Sequence, residues 1–141
     1  MAKILIVEDT KDVAKALAMR MRSKGHTALL AYDASEGTAM ARAEQPDLVL
    51  LDIAMPPSPK WGVVRAGGLA MADRLRKDEQ TTAIPVIFLT ASRDDRVRAR
   101  AMDFGPIAFL EKPYNPDTLF SEVNTALASR GPKRSDNPTA A

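Results

Sequence analysis

The sequence predicts a doubly wound α/β fold, in which helices cover both faces of a parallel sheet. Short apolar runs alternate along the chain with segments of helical periodicity, as they do in repeated β–α–β units. Two of these runs, residues 4–7 and 48–51, are continuously apolar, which indicates strands buried on both faces of the sheet. Acidic residues follow both runs, and in such folds ligands bind at the carboxyl ends of the strands. We therefore expect a functional site at that edge.

The first half of the chain predicts three strands and two helices. The strands are residues 3–7, 27–31 and 47–52. Between the first two strands, apolar residues recur at every fourth position over residues 11–24, and Gly25 ends this helix. Asp33 and Glu36 offer a capping box for a second helix that runs to about residue 44, before a proline.

The second half continues the alternation. The predicted elements are a helix at residues 69–76 and strands at residues 86–89 and 107–110. Ser92 is expected to cap the fourth helix, with Asp94 and Asp95 in its first turn. Asn115 is the expected cap of the fifth helix, and Pro116 occupies its first position, where the missing N–H costs nothing.

Length and composition exclude several classes of protein. The 141 residues fit one domain, expected over residues 1–130, followed by a disordered tail at 131–141 that has no apolar stripe. The absence of cysteine excludes disulfides and thiol catalysis, and the single His26, expected to be structural, excludes a multi-histidine metal cluster. No apolar run approaches the roughly 18 residues that span a bilayer, so a soluble cytoplasmic protein is expected. The formal charge of +2 indicates no partner.

Three carboxylates are expected to meet at one edge of the sheet. Glu8 and Asp9 follow the first strand, and Asp52 ends the third. They converge if these two strands are neighbours. Crowded acids repel one another, and a hard cation that prefers oxygen ligands relieves the repulsion. Mg²⁺ is therefore the expected cofactor.

The residues at the strand ends resemble those of the receiver domain of two-component response regulators, over about residues 2–129. The matching features are Glu8 and Asp9 after the first strand, Asp52 with Met55 and Pro56 after the third, Thr90 and Ala91 after the fourth, Gly105 before the fifth, and Lys112 and Pro113 after it. The resemblance implies the flavodoxin-like (βα)5 fold with strand order 2-1-3-4-5, as in chemotaxis receivers. It also implies a stand-alone receiver, since few residues follow the fifth helix.

The resemblance implies a metal site and a phosphoacceptor. Asp52 would accept a phosphoryl group, and Asp9 and Asp52 would ligate Mg²⁺ directly. Glu8 would act through water, and the backbone carbonyl of Ala54 would add a ligand. Carboxylates form acyl phosphates in other phosphotransfer proteins, so the proposed nucleophile suits the chemistry.

The resemblance also implies phosphate-binding and switch residues. Thr90, Ala91 and Lys112 would bind the phosphoryl group, with Lys112 as a mobile point charge. Thr90 and Phe109 would form the switch, in which the aromatic ring rotates inward when Thr90 moves toward the phosphoryl group. Phe109 has no hydroxyl, so its two rotamers must differ mainly in packing.

Further implications concern partners and activity. A histidine kinase or histidine phosphotransfer protein would be the donor, and the output would be binding to an unidentified protein. Neither a membrane nor a nucleic acid is expected as a partner, and a dimer could form through the fourth helix, fifth strand and fifth helix. The protein would not be an enzyme beyond self-catalysed phosphotransfer and autodephosphorylation.

Two other functions are kept as alternatives. One is a receiver-shaped protein- or nucleic-acid-binding module with vestigial phosphorylation, in which Arg93, Arg96 and Arg100 would form a basic helix face. The other, less favoured, is an aspartyl-phosphate phosphatase of the haloacid dehalogenase type. That class needs a second acid two positions after the nucleophile, where this chain has Ala54.

The chain departs from the family pattern between Pro56 and Gly68, where an insert of about residues 57–67 lies beside Asp52. A longer loop costs only about 1 kcal/mol of closure entropy, so the fold tolerates it. The insert contains Lys60, Trp61 and Arg65. Two cations near the acidic edge suggest a lid over the site. The tryptophan is expected either to pack against the third helix, which is the favoured alternative, or to anchor an interface with a partner.

Overall fold

The computed structural model describes residues 2–55, 67–91, 94–106 and 108–130. The elements are β1 (Lys3–Val7), α1 (Lys11–Ser23), β2 (Thr27–Ala31), α2 (Ala34–Glu44), β3 (Leu48–Asp52), α3 (Gly67–Lys77), β4 (Val86–Thr90), α4 (Asp95–Met102), β5 (Ala108–Glu111) and α5 (Pro116–Arg130). Each predicted element is present, and most bounds agree within one or two residues. The insert before Gly67, the cap Ser92, Arg93, Ile107 and the tail 131–141 lie outside the described residues.

All five strands form one parallel sheet in the order β2-β1-β3-β4-β5. This confirms the predicted doubly wound fold and its strand order. Strands β1 and β3 are neighbours, with Val7 paired to Leu51. Glu8 follows Val7 and Asp52 follows Leu51, so these two acids lie side by side at the carboxyl ends of the strands. This register is what brings Glu8 next to Asp52.

The continuous apolar runs place side chains alternately on the two faces of the sheet. On one face, Leu5 and Leu51 belong to a buried cluster with residues of α2 and α3, such as Leu75. On the other face, Leu50 packs in a second cluster with α1 and α5, to which Leu17 belongs. Strands buried on both sides are thus rigidly held, as the sequence runs indicated.

The helix ends follow the local sequence signals with one correction. The Asp33 side chain accepts a hydrogen bond from the Glu36 N–H at 2.8 Å. The Asn115 side chain accepts one from the Asp117 N–H at 2.7 Å. Gly25, with φ +89°, follows α1 in the left-handed region that only glycine adopts freely. The prediction that Asp94 lies in the first turn of α4 is wrong. Asp94 is the N-cap, and its carboxylate accepts from the Arg96 N–H at 2.9 Å.

The strands differ strongly in burial. All five residues of β3 and all five of β4 are buried. The four residues of β5, an edge strand, are half-buried or exposed. Helix α4, beside it, buries only Ala101. The centre of the sheet is therefore much more tightly packed than the β5 edge.

The opposite end of the sheet, where the strands begin, has its own polar contacts. The carboxylate of Asp47, which is almost fully buried, accepts from the Lys3 N–H at 2.7 Å. The Nδ1 atom of His26 accepts from the Ala2 N–H at 3.3 Å. Burial lowers the pKa of His26. The structural role expected for this histidine agrees with these contacts. Among the described residues, no helix is long and apolar enough to cross a membrane.

Candidate functional site

The three predicted carboxylates lie together at the carboxyl ends of β1 and β3. Glu8 and Asp9 directly follow β1, and Asp52 is the last residue of β3. One carboxylate oxygen from each lies within 4.8 Å of the other two. Glu8 and Asp52 are buried, whereas Asp9 is exposed. The cluster is thus open on the side of Asp9.

Asp52 is held by contacts to both of its carboxylate oxygens. Its Oδ1 accepts a hydrogen bond from the Ala54 N–H at 3.0 Å, in the turn that follows β3. Its Oδ2 lies 3.5 Å from the Nζ atom of Lys112. The residue is only 6% exposed, so the protein encloses most of its side chain.

Lys112 brings a positive charge to the cluster from the end of β5. Its Nζ atom lies 3.3 Å from Glu8 Oε2, in addition to its contact with Asp52. Its backbone N–H donates to the carbonyl of Thr90 at 2.7 Å, which extends the β4–β5 pairing by one residue. The peptide bond to Pro113 is cis. Thr90 itself is fully buried, and Ala91 follows it at the exposed rim.

The charges of the cluster are not balanced by the protein alone. Burial raises the pKa of Glu8 to about 7, and a hydrogen bond with Asp52 and the negative charge of Asp52 add to this increase. Lys112 opposes the increase. Burial lowers the pKa of Lys112, but the charges of Asp52 and Glu8 outweigh it, so the net shift is upward. Lys112 therefore keeps its positive charge. Three carboxyl groups lie together and Lys112 contacts two of them, so a divalent cation would offset the remaining negative charge.

The donor set fits Mg²⁺. All side-chain donors are carboxylate oxygens, which are hard ligands, and the exposed position of Asp9 leaves space for the waters that Mg²⁺ retains. The structure places Ala54 in the turn beside Asp52, where its carbonyl was expected to contribute. The roles of Glu8, Asp9, Asp52 and Ala54 as ligands remain predictions.

The backbone around Asp52 is packed against the start of α3. A Cβ atom added to Gly68 would collide with the carbonyl oxygen of Asp52 and with the Cα atom of Ile53. The Gly67 N–H donates to the carbonyl of Met55 at 3.2 Å, so the chain ends that flank the insert are hydrogen-bonded to each other. Lys60, Trp61 and Arg65 lie outside the described residues, and their role remains a prediction.

The predicted switch residue Phe109 lies in β5 and is half-buried. Its ring centroid is 6.5 Å from that of Phe88 in the core. The guanidinium carbon of Arg98, in α4, lies 5.2 Å from the Phe109 ring centroid. Arg98 Nη1 also lies 3.2 Å from Glu111 Oε1. The ring is therefore enclosed between a core aromatic residue and a surface cation.

Comparisons with known proteins agree with this geometry. Residues 4–124 match the response regulator receiver domain, and the chain belongs to this family. Protein PilH of Pseudomonas aeruginosa is 35% identical over 128 residues, which cover 91% of this chain and 99% of PilH. The phosphate regulon transcriptional regulatory protein PhoB of the same organism is 30% identical over 135 residues, 96% of this chain. The match covers only 56% of PhoB.

Solved structures show the same fold. The signal receiver domain of a signal transduction histidine kinase from Syntrophus aciditrophicus superposes with a TM-score of 0.82 at 27% identity, covering 97% of this chain and 98% of the other. The signal receiver domain of a modulated diguanylate cyclase from Desulfovibrio desulfuricans has a TM-score of 0.78 at 28% identity, with 92% and 96% covered. Receiver domains of this fold thus occur both in a diguanylate cyclase and in a histidine kinase.

Three features of the site were not predicted from the sequence. They are the Ala54 N–H that binds Asp52, the contact of Gly68 with the Asp52 backbone, and the bridge from Arg98 to Glu111 and Phe109. Only Gly68 carried a signal, since a glycine that begins a helix suggests close backbone contact. The sequence pattern had pointed to Arg93, Arg96 and Arg100, and not to Arg98. Of these, Arg96 has a side chain 93% exposed, and its contact is local, with the N-cap Asp94.

Proposed function

We propose that this receiver domain accepts a phosphoryl group on Asp52 from a histidine kinase or a histidine phosphotransfer protein. In this step an Asp52 oxygen attacks phosphorus, the P–N bond of the donor phosphohistidine breaks, and the imidazole leaves. The supporting observation is that the buried Asp52 carboxylate lies between an ammonium group and two further carboxylates. A strand-end acid with only a capping role has no reason to lie in such a cluster.

The residues around Asp52 divide the work of stabilising the transferred group. Phosphoryl transfer requires mainly positioning and neutralisation of the charge on three equatorial oxygens. Asp9, Asp52 and the Ala54 carbonyl would hold Mg²⁺ directly and Glu8 would hold it through water, and the bound ion would supply positive charge to the phosphoryl oxygens. Lys112 supplies a second positive charge that is already in contact with Asp52.

The output is proposed to be a phosphorylation-dependent change on the α4–β5–α5 face. Thr90 and Ala91 bind the phosphoryl oxygens, and Thr90 is linked to Lys112 through the backbone hydrogen bond between β4 and β5. Movement of Thr90 frees space toward Phe109, which rotates inward. The altered face then binds a target protein or a second copy of the chain. Autodephosphorylation, by attack of water on phosphorus, returns the receiver to its starting state in the cytoplasm.

The test is incorporation of phosphate from acetyl phosphate, followed by intact mass spectrometry with and without Mg²⁺. The wild type should gain one phosphoryl group, only when Mg²⁺ is present. Asp52→Asn should gain none, because an amide is not a nucleophile, yet it should stay folded, since an amide oxygen can still accept from the Ala54 N–H.

Asp73→Asn is a matched control, because it removes a carboxylate distant in sequence from the site whose ion pair, among the residues that the structure describes, is with Lys77 in its own helix. It should behave as the wild type. If Asp52→Asn still takes up a phosphoryl group at the rate of the Asp73→Asn control, Asp52 is not the acceptor. If neither the wild type nor the Asp73→Asn control takes up a phosphoryl group, the binding module with vestigial phosphorylation becomes the better interpretation.

A further inference from the structure

Helix α4 is held to the sheet by few apolar contacts. Of its eight residues only Ala101 is buried, and Val97 is partly buried against the core. The neighbouring strand β5 is equally open, because its residues are half-buried or exposed. Weakly packed elements of this kind open locally at a lower free-energy cost than the core does. Polar contacts should therefore carry a larger share of the attachment here than elsewhere.

Arg98 makes the contacts that join the two elements. Its guanidinium group lies 3.2 Å from Glu111 Oε1 and 5.2 Å from the centroid of the Phe109 ring. Phe109 and Glu111 are two positions apart in β5, so their side chains leave the same face of the strand. One planar guanidinium group can therefore stack on the ring and pair with the carboxylate at the same time. We call this arrangement the Arg98 clasp.

The clasp is attached to the part of β5 that enters the candidate site. Glu111 directly precedes Lys112 and is paired in the sheet with Thr90. The Lys112 N–H donates to the Thr90 carbonyl at 2.7 Å, and the Lys112 side chain contacts Asp52. Glu111, which Arg98 contacts, is thus the sheet partner of Thr90 and the chain neighbour of Lys112, so a displacement of either residue should reach it. The path from the site to α4 therefore runs from Asp52 through Lys112 and Glu111 to Arg98.

We propose that the Arg98 clasp sets how often α4 separates from β5, and that phosphorylation acts on α4 by loosening this clasp. The second half rests on the proposed function, whereas the first half does not. A charge change at Asp52 can bias α4 only through contacts that differ between two states. The clasp is such a contact, because the same guanidinium group binds the helix to the strand end that carries Lys112.

Hydrogen exchange of the α4 amides in the unphosphorylated protein tests the first half. Arg98→Gln removes both contacts, and the amides of α4 should exchange about three- to tenfold faster than in the wild type, given the strengths of exposed ion pairs and cation–π contacts. Glu111→Gln removes only the ion pair and should have a smaller effect. The ring signals of Phe109 in NMR spectra should shift in Arg98→Gln and much less in Glu111→Gln.

Arg96→Gln is the matched control, because it removes the same charge from the same helix, and its side chain is almost fully exposed. Its α4 amides should exchange within about twofold of the wild type. Equal exchange in Arg98→Gln and Arg96→Gln would overturn the clasp. Urea denaturation followed by circular dichroism gives the global stability of both variants, so faster exchange at equal global stability reports local opening.

A second arm adds acetyl phosphate and Mg²⁺ to the wild type and to Arg98→Gln. Phosphorylation should accelerate α4 exchange in the wild type and have a smaller additional effect in Arg98→Gln, where the clasp is already absent. The same factor in both proteins would overturn the coupling. If the wild type takes up no phosphoryl group, the proposed function and the coupling are both wrong, while exchange in the unphosphorylated proteins still decides whether the clasp holds α4.

Discussion

The centre of the sheet and its β5 edge contribute differently to the same site. Glu8 and Asp52 follow or end strands whose residues are almost all buried, so their carboxylates are fixed by the core. Lys112 follows a strand that is half-buried or exposed. The site thus combines two immobile acids with a cation on a loosely packed support. Within one cluster, the two acids can therefore keep their positions while Lys112 moves in response to a change at Asp52.

The same comparison explains where a signal can leave the molecule. The core around β1 and β3 has no second arrangement at low cost, because close packing resists small displacements. Helix α4 buries only Ala101 and packs Val97 partly against the core, and its Arg98 pairs with Glu111 of β5 in a polar contact that can exchange partners. A charge added at Asp52 should therefore change the edge and not the centre.

Matched truncations of two leucines give the largest expected effect. Leu50 lies in β3 and is fully buried, whereas Leu110 lies in β5 and is only partly buried. Leu50→Ala should lower the free energy of unfolding by about 3–5 kcal/mol, and Leu110→Ala by about 1–2 kcal/mol, because a fully enclosed side chain leaves a larger cavity. Urea denaturation followed by circular dichroism measures both.

Leu50→Met and Leu110→Met are the controls for this pair. They keep the side-chain volume and should each cost less than about 1.5 kcal/mol. If the two alanine variants lose the same stability, the edge is as tightly packed as the centre, and the distinction between the two regions is wrong.

Much of the centre could be predicted from the sequence. The unbroken apolar runs predicted β1 and β3, because only strands covered on both faces bury every residue. The acids that follow those runs predicted the cluster once the strands were taken as neighbours. The strand order itself was inferred from the family resemblance, since periodicity does not determine which strands pair.

The edge could be predicted less well, for a physical reason. Arg98 and Glu111 are 13 residues apart, in different elements, with no periodic relation between them. Their contact depends on where α4 lies over β5, and tertiary packing determines this. The cap of α4 was misplaced for a similar reason. Ser92 and Asp94 are both good cap residues, and the chain path selects Asp94.

Gly68 tests how rigidly the centre holds Asp52. In Gly68→Ala the new Cβ must displace backbone atoms of Asp52 and Ile53, so stability should fall by about 2–3 kcal/mol although alanine is the better helix former. Phosphate uptake from acetyl phosphate should fall as well, because the Asp52 backbone moves. Thermal denaturation and mass spectrometry measure the two effects.

Gly37→Ala is the matched glycine replacement within α2. Its Cβ would approach the Met71 side chain at 2.9 Å and the Val7 side chain at 2.9 Å. Both contacts are with side chains, and the flexible end of the methionine can move aside, whereas a Cβ at Gly68 would meet backbone atoms. The loss of stability should therefore be smaller than at Gly68, and phosphate uptake should fall less. An equal loss of phosphate uptake in both variants would show that general destabilisation, not the position of Asp52, is responsible.

The smallest expected effect lies at the opposite end of the sheet, away from both regions compared above. Burial lowers the pKa of His26 from its ordinary value of 6.5, although the negative charge of Asp47 partly opposes this. Below that value the unfolded chain binds a proton that the folded protein binds less readily, so stability is lost as the pH falls through 6.5 toward the folded pKa.

The variant for this test is His26→Gln, whose amide oxygen can still accept from the Ala2 N–H but does not titrate. Between about pH 7.5 and about pH 5 the wild type should lose a few tenths of a kcal/mol more stability than the variant, a small amount because solvent screens this partly exposed ring. Both proteins share the carboxylates of the candidate site, so the difference between their urea midpoints isolates His26 from the titration of that cluster. Parallel pH profiles for the two proteins would mean that His26 has the same pKa in the folded and unfolded states. The pH dependence of folding would then have to come from other groups, the Glu8 cluster among them.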